Sequence, residues 1–111
     1  MGLPVSDKTL GKDDVIKMTQ SAQDASNFLK ALSHEGRLMI LCHLSGGEKS
    51  VTELEQSLGA RQAAVSQHLS RLRQEGLVAP RRDGKTIYYR LTDDRAQQII
   101  AVVYDLFCKT K

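Results

Sequence analysis

The chain has 111 residues, 16 Lys and Arg against 13 Asp and Glu, 41% apolar residues and no Trp. That length supports one small domain, and the ordinary apolar content argues against wholesale disorder. No apolar run approaches the roughly 18–20 residues of a membrane span, and no apolar signal core follows the N-terminus, so a cytoplasmic protein without a membrane partner is expected. Two cysteines, Cys42 and Cys108, are too few for a disulfide-stapled secreted scaffold and fit a reducing compartment.

The opening Met1-Gly2-Leu3-Pro4-Val5-Ser6 matches a myristoylation pattern. One acyl chain holds a membrane only marginally, and no second anchoring signal follows, so residues 1–12 read as a flexible tail. Residues 13–109 read as one α+β domain, mainly helical. From Asp13 to Leu32 the apolar residues Val15, Met18, Ala22, Ala25, Leu29 and Leu32 recur three and four apart, the seam of an amphipathic helix. Ser33 is the expected N-cap of a second helix over 34–44, closed by Ser45-Gly46-Gly47. Thr52-Glu53-Leu54-Glu55 fits a capping box opening a short helix that ends at Gly59. A fourth helix spans 62–74, with Val65, Leu69 and Leu72 inward and Gly76 as its stop. Residues 77–82 and 85–91 flank Asp83-Gly84 and predict a hairpin with a type I′ turn, Pro80 marking its edge strand. Thr92-Asp93-Asp94 opens a last helix running to about Lys109.

Charge is unevenly placed along these elements. Residues 60–90 carry seven basic groups against Glu75 and Asp83, while the rest of the chain is slightly acidic. A basic third of a chain is either a polyanion footprint or a solvated face. The two short helices joined at Leu58-Gly59-Ala60 favour the footprint, because they resemble a helix-turn-helix. The outward side of the second carries Gln62, Ser66, Gln67, Ser70 and Arg71, which can bond base edges or phosphates, while His34 and His68 are expected far apart on exposed segments, His68 near DNA. Arg61 stands before it, and Ala63 and Ala64 keep its start slim enough to approach a groove floor. The hairpin tip Arg81-Arg82-Asp83-Gly84-Lys85-Thr86 adds three cations, as a wing on flanking minor groove or backbone would. Of Tyr88 and Tyr89, one is expected in the core and the other near a phosphate.

Ala31-Leu32-Ser33-His34-Glu35-Gly36-Arg37-Leu38-Met39-Ile40-Leu41, together with Ala64–Arg73 and Gly76-Leu77-Val78, resembles the ArsR/SmtB family of winged-helix repressors. The resemblance implies a homodimer built through the first and last helices, bound to an inverted-repeat operator and released by an inducer. The apolar seams of those helices agree with helix-on-helix dimerisation. Many members cap the recognition helix with Ser. Arg61 cannot cap and opposes the helix dipole, which a phosphate contact would offset.

The family often senses metals, but the ligand sets differ here. The Cys-x-Cys positions of one metal-sensing type fall on Ser50-Val51-Thr52, and no His follows Asp93 and Asp94 on the last helix. Cys42 and His43 are adjacent and diverge by about 100° on a helix. No metal or other cofactor is expected, although two thiolates could hold a linear soft cation. Catalysis is not expected either: Ser66 and His68 point to different sides of one helix, and no phosphate-cradling loop accompanies them.

The remaining chemistry is that of Cys42 and Cys108. A buried Cys is most often a small apolar side chain. One Cys in the second helix and one in the last, however, is similar to the dithiol persulfide-sensing subgroup, the BigR/SqrR-type repressors. That resemblance implies a polysulfide bridge between the two thiols, made by inorganic or low-molecular-weight persulfides, that dislodges the repressor from its operator. Cys42, beside His43, is expected to react first. Alternatives are the same repressor answering a soft metal or general oxidant, or a winged-helix interaction module that binds no operator.

Overall fold

The computed structural model describes residues 11–108. The expected tail lies mostly outside the described residues, as do the myristoylation pattern and the end of the last expected helix. The chain divides into two compact units between Lys30 and Ala31. The first unit is most of helix α1 (Lys12–Leu32), whose first turn carries Asp13 and Asp14 at the positive end of the helix dipole. Val15, Ile16 and Leu29 stay exposed on it.

The second unit runs α2 (Glu35–Ser45), β1 (Lys49–Ser50), α3 (Val51–Leu58), α4 (Gln62–Gln74), β2 (Val78–Asp83), β3 (Thr86–Leu91) and α5 (Asp94–Val103). A π-helical turn, Tyr104–Cys108, extends α5. Ile40, Leu41, Leu54, Val65, Leu69, Leu72 and Leu77 are fully buried and form its centre, each burial contributing about 1.5–3 kcal/mol. Removal of Leu54, at the middle of this set, would cost about 2–5 kcal/mol.

Local differences from the sequence reading have physical causes. His34, not Ser33, caps α2, its ring Nδ1 accepting from the Gly36 N–H at 3.0 Å. The capping box of α3 is Ser50 with Glu53, one turn-start earlier than Thr52 with Glu55. The Glu53 N–H donates to Ser50 Oγ at 3.0 Å, and the Ser50 N–H to Glu53 Oε1 at 2.7 Å. What selects Ser50 is a strand the sequence did not announce. β1 pairs antiparallel with β3, Lys49 opposite Tyr89 and Ser50 opposite Tyr88, giving a three-stranded sheet in the order β1-β3-β2. β2 lies at the edge, where Pro80 removes no ladder bond from an inner strand.

The hairpin turn is shifted by one residue. Asp83 pairs with Thr86, so the two loop residues are Gly84 and Lys85. Only Gly84 has positive φ, at 62°, the sign pattern of a type II′ turn, which places Gly first. α4 begins and ends where expected, and α3 closes on Gly59 in the left-handed conformation. α5 is capped by Asp93, whose carboxylate accepts from the Arg95 N–H at 2.7 Å.

Candidate nucleic-acid interface and thiol groove

α3 and α4 pack on one another, with Leu54 of α3 and Val65 and Leu69 of α4 buried, which leaves the opposite side of α4 outward. That side exposes Gln62, Ala63, Ser66, Gln67 and Ser70, with Arg61 exposed at the N-cap. The Arg61 side chain makes no capping bond, so no side chain of the N-cap satisfies the first N–H groups of α4. A groove of about 270 Å³ runs between α4 and the wing; Glu55, Gln62, Ser66, Ser70, Lys85 and Thr86 line it. Donors and acceptors from helix and wing thus share one concave surface. Tyr89 lines the same groove, whereas the ring of Tyr88 carries a guanidinium; both are half-buried and neither fills the core.

Three expected contacts stand differently. His68 does not join the exposed row: it sits half-buried with its ring centroid 4.4 Å from that of His34. Its Nε2 occupies the space over Gly36, where a Cβ would lie 2.6 Å away. Burial, then the charges of His34 and Arg37, hold its pKa below the ordinary histidine value. The residues Val65, His68, Leu69 and Leu72 fall on one helical stripe, a spacing that marks His68 as inward-facing. Arg81 is also engaged within the chain. Its Nη2 and Nε donate to the two carboxylate oxygens of Glu48 at 2.7 and 3.0 Å, and its guanidinium lies 4.6 Å over Tyr88. Arg71, half-exposed, has Glu75 at 3.9 Å. Arg82 and Lys85 at the wing tip are exposed and make no ion pair among the described residues. Glu48 was missed because its partner lies 33 positions away in sequence.

α2 packs against α5, and a second groove, about 590 Å³, opens along them. Cys42 and Cys108 both line it, with Met39, His43, Ile100 and Tyr104. Cys42 is half-buried; Cys108 is exposed on the π-helical turn, a rare geometry frequent at functional sites. Both cysteines are free thiols. Burial first, and the charge of Cys108 second, push the Cys42 thiol up. A raised pKa lowers the thiolate fraction, and thiolate is the attacking form. Exposure and the raised Cys42 pKa therefore weigh against Cys42 as the first to react: Cys108 is the more accessible thiol. His43 does turn toward the groove, yet the described residues hold no group of three or more His, Cys, Asp or Glu placed for a metal ion. No helix among them is long and apolar enough to cross a membrane.

Known proteins share this fold. The family model described as "Bacterial regulatory protein, arsR family" matches residues 34–79, from the cap of α2 into β2. The biofilm growth-associated repressor of Xylella fastidiosa is 47% identical over 91 residues, covering 82% of this chain and 80% of that one. The crystal structure of the repressor BigR from Xylella fastidiosa superposes with a TM-score of 0.79 at 44% identity, covering 91% of this chain and 100% of the other. Reduced HlyU from Vibrio cholerae gives 0.81 at 39% identity, over 84% and 98% of the two chains. With its winged helix-turn-helix and these relatives, the chain belongs to the arsR family of bacterial regulatory proteins, DNA-binding transcription regulators and not enzymes.

Proposed function

We propose that the protein is a dimeric repressor of the cytoplasm that binds an inverted-repeat operator and releases it when reactive sulfur species bridge Cys42 and Cys108. The observation that carries this reading is the shared groove: two free thiols, one on α2 and one on the turn that extends α5, line the same cavity. Similarity to proteins named as repressors supports the direction of control. A second copy of the chain supplies the partner for apolar side chains left exposed on α1 and, separately, on the π-helical turn, where Leu106 is 71% and Phe107 81% exposed.

The chemistry needs no outside oxidant. The Cys108 thiolate attacks the terminal sulfur of a persulfide and displaces the carrier thiolate, leaving a Cys108 persulfide; Cys42 is converted in the same way. The terminal sulfur of one then attacks the inner sulfur of the other and expels hydrogen sulfide, leaving a three-sulfur bridge. A direct disulfide demands Cβ atoms within about 3.5–4.5 Å, and each inserted sulfur adds about 2 Å of reach. Selectivity for persulfide over peroxide follows wherever the direct ring would strain α2 against α5.

Operator contacts are assigned to Arg61, Gln62, Ala63, Ser66, Gln67 and Ser70 of the α4 face, with Arg71, Arg82, Lys85 and Thr86 beside them. Half-sites must sit about 34 Å apart to occupy successive major-groove turns. Tying α5 to α2 changes the geometry of the dimer, and a hundredfold release requires about 2.7 kcal/mol of coupling, an ordinary allosteric magnitude. Mass spectrometry of persulfide-treated protein tests the bridge. The expected product carries added sulfur linking both cysteines; a direct disulfide formed equally by peroxide contradicts the selectivity, and metal capture without sulfur addition contradicts the inducer.

A further inference from the structure

The side chain of Arg81, although half-exposed, is engaged by acceptors within the chain. Its Nη2 and Nε meet Glu48 at 2.7 and 3.0 Å, and its Nη1 lies 3.9 Å from Asp83. Its planar face rests 4.6 Å over the ring of Tyr88. Glu48 also feels the charge of Arg90, so Glu48, Asp83, Arg81 and Arg90 balance to zero and leave Arg81 no surplus positive charge to draw a phosphate. Nε and Nη2 are both committed to Glu48, so a phosphate taking that bidentate edge of the guanidinium would have to displace the carboxylate.

The path of this contact crosses the whole sheet. Arg81 sits on β2 opposite Tyr88 of β3, and Tyr88 is opposite Ser50 of β1. Glu48 is the residue just before β1, at the end of the Gly46-Gly47 connection that follows α2. The guanidinium therefore reaches from the edge strand, over the central strand, to the segment joining α2 to the sheet. The carboxylate's pKa is lowered chiefly by the hydrogen bond from Arg81, and the guanidinium's is raised by the same bond. Each charge thus favours the ionised form of the other.

We propose that Glu48 and Arg81 are positioning residues for operator binding: their ion pair braces β2 against the lead into β1 and so aims the wing tip, with Arg82 and Lys85 as its phosphate-facing cations and no phosphate contact by Arg81. The wing's orientation is thereby tied to the end of α2, the helix that carries Cys42.

Operator binding of the reduced, full-length protein across a salt series tests this. The variants are Glu48→Gln, Arg81→Gln, the two combined, and the reversed pair Glu48→Arg with Arg81→Glu. Loss of an exposed charged pair is expected to weaken binding by roughly two- to fivefold in either single variant. The double variant should be no weaker than the singles, the reversed pair should recover binding, and the salt slope should stay that of the natural chain. Thermal unfolding of Glu48→Gln should match the natural chain within a few degrees, separating aim from folding. The sign of the Glu48→Gln effect decides most sharply. Removing an acid near DNA tightens binding if only net charge matters, and also if Arg81 is a phosphate ligand freed from competition. Tighter binding by Glu48→Gln, or a slope shallower by about one in Arg81→Gln, overturns the proposal, as does unchanged affinity in every variant.

Discussion

The imidazoles of His34 and His68 lie 4.4 Å apart, centroid to centroid and tilted by 45°, joining the cap of α2 to the recognition helix α4. His68 is held below the ordinary value of 6.5 by burial first, then by His34 and Arg37. Its protonation is thus harder in the folded chain than in the unfolded one. The stability it contributes is complete above pH 6.5 and is lost as pH falls from there through the folded-state pKa. Unfolding temperatures between pH 7 and 5.5 should decline in the natural chain and decline less in His68→Gln. Equal slopes would exclude His68 as the group responsible. Below about pH 4.5 both should fall together, because Glu48, Glu53 and Asp93 have lowered pKa values and lose their stabilising charge there.

Arg61 stands at the N-cap of α4 without making a capping bond. Arg61→Ala should weaken binding to all duplex sequences alike and make the salt slope shallower by about one. Arg61→Ser, which can cap, should stabilise α4 by about 1 kcal/mol in thermal unfolding while still losing that phosphate contact. An unchanged slope in a titration against salt would remove the phosphate role.

These positions also mark how far the chain could be read without coordinates. α4 was legible at both ends because apolar spacing, the small-residue start and Gly76 all agree. The cap of α3 was not, since Ser50-x-x-Glu53 and Thr52-x-x-Glu55 satisfy the same rule. Pairing of Ser50 with Tyr88, 38 positions away, chooses between them, and no local pattern encodes that. The same holds for Arg81, whose partner across the sheet turns an apparent phosphate ligand into an internal contact. The half-burial of His68 has a signal in the sequence: its interval to Val65 and Leu72 is that of the buried stripe. The thiol groove was legible only as one Cys per helix, while the π-helical turn that presents Cys108 had no signature in its residues.

Cys108 is exposed, and Cys42 is half-buried with a raised pKa. Brief alkylation with iodoacetamide at pH 7.5, read by peptide mass spectrometry, should label Cys108 several-fold faster than Cys42. Faster labelling of Cys42 would assign the first attack to the other thiol.

Phe107 and Leu106, adjacent on the π-helical turn, both project into solvent, and neighbouring exposed apolar side chains of this size mark an interaction surface. Sedimentation should find a dimer for the natural chain, and Phe107→Asp should shift it toward monomer with weaker operator binding. A natural chain that is monomeric at micromolar concentration would remove the second copy from the proposed interface.

The most direct test compares affinity for an inverted-repeat duplex, selected with reduced protein, before and after persulfide treatment of the natural chain, Cys42→Ser and Cys108→Ser. The natural chain should lose binding about a hundredfold and regain it on reduction, while both serine variants remain bound throughout. Release of either serine variant by persulfide, or retention of the duplex by a natural chain shown to carry the sulfur bridge, would contradict the coupling of thiol chemistry to DNA.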